Sequence, residues 1–356
     1  MNLYSGMKDI QELWKYLFPE EKLDFKKRQL NYLAFGSNYR DFKSSKGTVK
    51  EWSERKVTEK KYKMYYIPKS DWTYRTIREP CDILKQIQRN ILDKILVPHS
   101  EWVFSDSCTG FRRGYSTVSN SKSHLEKEIV LKLDISDFFP SISQARVYWF
   151  FKKKFWFNHQ ISSYLSWLCT YKNELPQGAP TSPMIANIIG AHIDNRILKL
   201  IKVLNDGDPN LWMSYSRYAD DLSLSYNDST LNPNKLIHNI QIILEDEWFF
   251  MNIRKIRLFK KGEKKEVTWI IVNNATPSIG RKRYKNFRAT IHSIKTIGWD
   301  WALEKWNTTH KRKIEKIGDV EKFKQVIKGY HDYIYMIHKD WWVGKKYLQD
   351  FHQLEY

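Results

Sequence analysis

Two short acidic stretches carry residues whose type and placing could do chemistry. The first is Tyr218-Ala219-Asp220-Asp221. Apolar and polar residues alternate on either side, with Leu211, Met213 and Tyr215 before it and Leu222, Leu224 and Tyr226 after. That period of two predicts a pair of strands with both carboxylates at a hairpin tip. Strands are depleted in Asp and adjacent like charges repel, so a bound cation accounts for the pair more easily than folding does. An ordinary turn, where Asp is common, is the plainer alternative.

The second stretch changes the balance. Ile129, Val130, Leu131 and Leu133 form a short apolar strand that runs into Asp134-Ile135-Ser136-Asp137-Phe138-Phe139-Pro140-Ser141-Ile142. An acid at the end of a buried strand supplies the other half of a metal clamp. Two Mg²⁺ ions about 3.5–4 Å apart, bridged by carboxylates, can activate an attacking hydroxyl and stabilise a leaving pyrophosphate during in-line phosphoryl transfer. Asp134 and Asp220 would bridge the ions, the Ile135 carbonyl and Asp221 would support them, and Mn²⁺ could substitute.

With a third segment, Leu175-Pro176-Gln177-Gly178-Ala179-Pro180-Thr181-Ser182-Pro183, these stretches resemble motifs A, B and C of reverse transcriptases, in the family's order. Asn120-Ser121-Lys122-Ser123-His124, shortly before the first, resembles the Asn-Ala-x-x-His segment of the retron branch, with Ser121 where Ala is usual. Val267-Thr268-Trp269 stands where retron enzymes carry Val-Thr-Gly, and Trp269 is a departure from that pattern. The spacing says little about what His124 itself does.

The resemblance implies an α+β protein with the right-hand polymerase fold: a palm with an antiparallel sheet and the Asp-Asp hairpin, fingers, and a helical C-terminal thumb. It places N-terminal helices and fingers at 1–130, the palm with interleaved fingers elements at 131–275, and the thumb at 276–356. It implies further site residues. In a strand pair over Tyr62 to Ile77, Lys69 and Arg75 lie before and after the Ser70-Asp71 turn and would hold the nucleotide's triphosphate, Arg75 through its paired donors. Phe139, five residues after Asp134, would lie under the incoming sugar and leave no room for a 2′-hydroxyl. Gln177 and Gly178 would meet template and nucleotide, Gly178 by allowing close backbone approach. Lys255, in Asn252-Ile253-Arg254-Lys255, is a candidate proton donor to pyrophosphate. An exposed charged hairpin, a Phe138–Phe139 core pair, a capping turn and a surface lysine remain the plainer alternatives at these positions.

The elements that must position these residues are legible in outline. Helical patterns run through Leu13, Leu17, Leu23, Phe25 and Leu30, through Ile83 to Ile95 in a stretch that Pro80 opens, and in two segments from Gln144 to Leu168. The prolines and Gly178 keep 176–183 out of a helix. Thr181 or Ser182 then caps a helix through Met184 to Ile197, and Asn232-Pro233 starts another. Residues 41–61 read as a polar, lysine-rich loop. Lys152-Lys153-Lys154 serves equally as a phosphate-contacting face or a solvated one. From Pro277 onward Arg281-Lys282-Arg283, Lys311-Arg312-Lys313 and Phe323 to Ile337 describe basic helices with interleaved aromatics, suited to gripping a duplex by its backbone. Helix packing is the default for Tyr333, Tyr335 and Trp342.

Bulk properties agree with a polyanionic partner. Sixty Lys and Arg against 40 Asp and Glu give a net charge of +20, with 15 Trp available for stacking. Cys81, Cys108 and Cys169 show no metal-site or disulfide spacing. No signal pattern and no run of about 18 apolar residues occurs, so the expectation is a cytoplasmic protein with no membrane partner.

The expected activity is RNA-directed DNA synthesis from deoxynucleoside triphosphates. Likeness to retrons adds a structured noncoding RNA as template and primer, priming from its 2′-hydroxyl, an RNA–DNA hybrid and RNA-linked single-stranded DNA as product, and antiphage defence with an effector protein. Rival readings are another bacterial reverse transcriptase of the group II intron or defence-associated kind, an RNA-directed RNA polymerase, and a noncatalytic RNA-binding scaffold.

Overall fold

The structure, a computed structural model, describes residues 7–19, 33–34, 61–69, 73–100, 103–227, 230–309 and 318–338. The helical pattern at Leu23, Phe25 and Leu30, the loop at 41–60, the Ser70-Asp71 turn, the run Lys311-Arg312-Lys313 and Trp342 lie outside them. The chain forms two compact units: Met1–Phe111, Asp134–Leu200 and Pro233–Arg254 in one, and Arg112–Leu133, Ile201–Asn232 and Lys255–Tyr356 in the other.

In the first unit, α1 (Ile10–Leu17) starts at Asp9, whose carboxylate accepts from the Gln11 and Glu12 amides, and buries Leu13, Trp14 and Leu17. Strands β1 (Tyr62–Pro68) and β2 (Tyr74–Pro80) pair antiparallel from Tyr62 opposite Pro80 to Pro68 opposite Tyr74. The pairing matches the predicted strand pair, but β1 is exposed on both faces beyond Tyr62, so this is a ribbon held by its backbone bonds. Pro80 does not open the next helix. It ends β2, and α2 (Asp82–Ile91) begins after Cys81, whose amide donates to the Lys61 carbonyl. A proline suits a strand end because its missing N–H is not required there. Helix α2 buries Leu84, Ile87 and Ile91 and continues through a π turn, Leu92–Leu96, into α3 (Val97–Ser100).

Two helices follow the Asp134 segment, α5 (Gln144–Lys154) capped by Ser143 and α6 (His159–Cys169) capped by Asn158. Phe150, Phe151, Phe155 and Phe157 form their shared aromatic core. Lys152 lies over the rings of Tyr148 and Trp149, and Lys153 over Trp149, so these two cations cover aromatics of their own helix. Helix α7 (Ser182–Gly207) begins one residue before Pro183, which therefore sits inside the first turn rather than in the loop. Proline is tolerated there because the first amides of a helix have no intrahelical acceptor. Helix α8 (Pro233–Asp246) buries Leu236, Ile240, Ile243 and Leu244, and packs on β6 (Phe250–Met251).

In the second unit, α4 (Thr117–Lys122) is closed at its start by a reciprocal cap between Ser116 and Ser119. Strand β3 (Ile129–Ser136) continues from this unit into the first. The sheet order is β4-β5-β3-β6, with β4 (Ser214–Tyr218) and β5 (Asp221–Tyr226) antiparallel, and β7 (Arg257–Phe259) also pairing with β3. Val130 faces Phe259, while further along β3 Ile135 faces Met251. A short hairpin, β8 (Glu266–Val267) and β9 (Ile270–Ile271), leads to α9 (Arg281–Thr309) and α10 (Val320–His338). Gly298, at φ 77°, breaks α9 into two helical pieces. Phe287, Ile291, Ile294, Trp306, Phe323, Ile327 and Ile334 make one core with Val118 and Ile270. The apolar helical stripe expected over Phe323 to Ile337 is thus the buried face of α10. Tyr333 packs against this core, whereas Tyr335 is exposed and stacks on His331. Among the described residues no helix is long and apolar enough to cross a membrane.

Candidate active site

Asp220 stands where the sequence pattern puts it, on a two-residue turn closed by the pairing of Tyr218 with Asp221. Ala219 takes φ 59°, and Asp220 is not left-handed, the combination of a type II′ turn that ordinarily selects glycine at its first central position. A left-handed alanine costs about 1–2 kcal/mol. Arg217 helps to hold it: its guanidinium is fully buried and donates to the Ala219 carbonyl at 3.2 Å. Arg217 escaped the sequence reading because charged residues are almost never fully buried, and a single Arg in a strand carries no pattern.

Alternation along β4 and β5 predicted a half-buried hairpin with a polar outer face. In the structure Tyr215, Ser216 and Arg217 of β4 and every residue of β5 from Leu222 to Tyr226 are buried. The serines are therefore not solvent positions. His124, itself fully buried, is hydrogen bonded through Nε2 to Ser216 Oγ at 2.8 Å and through Nδ1 to Ser225 Oγ at 2.7 Å. Burial, aided by the nearby charge of Lys127, pushes the His124 imidazole down to about 3, so it is neutral at working pH.

The other residues of the retron-like segments meet the same network. Asn120 Nδ2 donates to Thr268 Oγ1 at 3.3 Å, and Thr268 Oγ1 donates to the Thr117 carbonyl at 3.2 Å. Val267 is buried beside Val130 and Val272. Thr268 and Trp269 form the β8–β9 turn with φ 44° and 65°, so Trp269 takes by strain the left-handed backbone that a glycine adopts freely. Trp269 is 58% exposed, and its carbonyl accepts from Arg283 Nη1 at 2.8 Å.

In the first unit Asp134 is buried near the end of β3, and its carbonyl accepts from the Asn252 amide at 2.8 Å. Ile135 is buried beside Met251. Phe138 and Phe139 part company: Phe138 is core and packs on Phe249, while Phe139 is half-buried with its ring 6.1 Å from that of the exposed Phe111. The close approach that Gly178 permits is to β2. A Cβ there would lie 2.9 Å from Ile77 Cγ2 and 3.0 Å from the Arg78 carbonyl oxygen, and the Gln177 carbonyl accepts from the Arg78 amide at 2.6 Å. Arg78 also pairs with Glu174 at 2.5 Å, fixing both ends of this loop on the ribbon. Lys69 and Arg75 are exposed near the far end of the ribbon, where the Lys69 amide donates to Thr73 at 2.7 Å.

Lys255, in the second unit, is exposed at the end of a single 3₁₀ turn. Among the described residues, no group of three or more acidic, imidazole or thiol side chains forms a cluster that could hold a metal ion. The fit to Mg²⁺ rests instead on donor chemistry: carboxylates and a backbone carbonyl are the hard oxygen ligands this ion takes.

The sequence matches the family of reverse transcriptases (RNA-dependent DNA polymerases) over residues 67–274. It is 34% identical over 278 residues to the retron Ec86 reverse transcriptase of Escherichia coli, covering 74% of this chain and 82% of that one. To the retron Mx162 reverse transcriptase of Myxococcus xanthus it is 31% identical over 266 residues, covering 66% and 53%. To the retron Ec83 reverse transcriptase of E. coli the identity is 29% over 246 residues, covering 66% and 76%.

Proposed function

Because the chain belongs to the retron reverse transcriptases, RNA-directed DNA polymerases with the right-hand fold, we propose that it extends a primer hydroxyl within its own structured noncoding RNA. The product would be a single-stranded DNA joined to that RNA, made for antiphage defence with an effector protein. The observation that carries the catalytic part is Asp220 on a strained turn, with Asp221 beside it and Arg217 bound to the turn carbonyl. Such strain persists only where the surroundings over-determine it, as they do at functional sites.

In this reading Asp134 and Asp220, with the Ile135 carbonyl and Asp221, would hold two Mg²⁺ ions. The ions, or Mn²⁺ in their place, would lower the pKa of the attacking hydroxyl and neutralise charge on the pyrophosphate. Lys69 and Arg75 hold the triphosphate, and Gln177 and Gly178 lie along the nucleotide. Phe139 closes the space below the sugar, and Lys255 returns a proton to the pyrophosphate. Lys285, Arg288 and Lys295 line one groove along α9 together with His292, and the three permanent cations suit nucleic-acid phosphates.

Expression with the native flanking DNA tests both levels. Wild-type protein should purify with a short DNA attached to one RNA species; RNase should shorten that material without removing the DNA, and a debranching enzyme should release it. Asp134→Asn and Asp220→Asn should each retain the RNA and make no DNA, because they remove a charged metal ligand and leave the cationic surfaces intact. Near-normal extension by Asp220→Asn would overturn the metal assignment. DNA with a free 5′ end would overturn the retron product and leave the polymerase.

A further inference from the structure

The hydrogen bonds around α4 form a chain with one direction. Ser216 Oγ donates to the Asn120 carbonyl at 3.3 Å, which leaves its lone pairs to accept from His124 in the tautomer with its proton on Nε2. His124 Nδ1 is then the acceptor, and Ser225 Oγ donates to it. On the other side of Asn120 the amide donates to Thr268 Oγ1, whose proton goes to the Thr117 carbonyl. A neutral imidazole with its proton on Nε2 satisfies every partner in this sequence; a second proton on Nδ1 would oppose the Ser225 hydroxyl proton.

The chain reaches three elements of the second unit that are far apart in sequence. His124 grips both strands that carry the Asp220-Asp221 turn. Asn120 grips the turn whose Trp269 carbonyl receives Arg283 from the first turn of α9. The members Asn120, His124, Ser216, Ser225 and Thr268 are all buried, where an unmade hydrogen bond is costly and a made one holds its geometry.

We infer that Asn120 and His124 are positioning residues for DNA synthesis: from one short helix and the turn that follows it they set the geometry of the Asp220-Asp221 hairpin and of the Thr268-Trp269 turn. Both are buried, so they would act through the elements they hold. The inference rests on the reading of Asp220 and Asp221 as catalytic. It also gives the two retron-like segments, 148 residues apart at Asn120 and Thr268, a common physical task.

The test uses full-length protein extending an oligo(dT) primer on poly(rA) with dTTP. His124→Leu alone leaves two buried hydroxyls without their partner, so it should lower both stability and kcat. His124→Leu combined with Ser216→Ala and Ser225→Ala removes all three polar groups. It should recover most of the thermal stability, yet keep a kcat about 100-fold below the parent with a nearly unchanged KM for dTTP, the scale at which an ångström of misplacement acts. Thr268→Ser should keep activity that Thr268→Val loses. If the triple variant folds with parental kcat while Asp220→Asn is inactive, the positioning role is overturned and the catalytic reading stands; an active Asp220→Asn overturns the catalytic reading instead. Nitrogen-15 NMR of wild-type protein gives a readout independent of folding variants: the Nε2–H tautomer is expected, and an Nδ1–H tautomer or an imidazolium at pH 7 would overturn the chain.

Discussion

Gly178 faces the Arg78 carbonyl oxygen so closely that a Cβ on it would lie 3.0 Å away, with Ile77 Cγ2 at 2.9 Å and φ at 112°. Both the space and the backbone angle therefore exclude a side chain. Gly178→Ala should destabilise the protein by about 1–3 kcal/mol, read as a lower midpoint in urea at unchanged slope. A neutral effect would mean that the loop and the ribbon can separate freely.

Phe139 is half-buried beside Phe111, while Phe138 belongs to the core. Removing the Phe139 ring therefore opens space without gutting the fold. If, as proposed, its ring fills the space a 2′-hydroxyl would need, Phe139→Ala should raise incorporation of ribonucleotides relative to deoxynucleotides by about 10-fold or more. Competitive incorporation of GTP against dGTP measures it, and equal discrimination in variant and parent would put the sugar gate elsewhere.

His124 imposes an acid limit on stability. The unfolded imidazole protonates near 6.5 and the folded one near 3, so between those values the unfolded chain binds more protons and stability falls as pH falls. The slope from this group should approach about 1.4 kcal/mol per pH unit within that window and vanish above it. Urea titrations from pH 7 to pH 5 on wild type and on the His124→Leu, Ser216→Ala, Ser225→Ala variant measure the difference. A slope that the variant retains would assign it to other groups.

Trp269 takes φ 65° and is largely exposed to solvent. Trp269→Gly relieves about 1–2 kcal/mol of left-handed strain, offset by the freedom glycine adds to the unfolded chain, about 0.4–1 kcal/mol. The variant should be as stable as the parent or more so by up to about 1.6 kcal/mol, by thermal melt with nucleic acid removed. A clear loss of stability would show that the indole packs in a way its exposure conceals.

The sequence by itself determined the local elements and their order: a strand carrying Asp134 near its end, a hairpin with Asp220 at its tip, helix starts at Ser182 and Pro233, and apolar stripes on those helices. Each of these is written in a period of two or of 3.6 and in the residue types that start or stop a backbone conformation, so neighbours along the chain suffice to read it. Only the tertiary structure decided what covers each face. Alternation marked Ser216 and Ser225 as polar positions, and it took α4 lying against the strands to make them buried partners of His124. The motif match gave Gly178 a place beside a ligand, and only the fold adds that it also packs against Ile77 and Arg78 of β2. Asn120 and Thr268 are meaningful as a pair only once folding brings their side chains to 3.3 Å. A hydrogen bond between distant segments leaves no period in the sequence, because its cause is the layer packed on top.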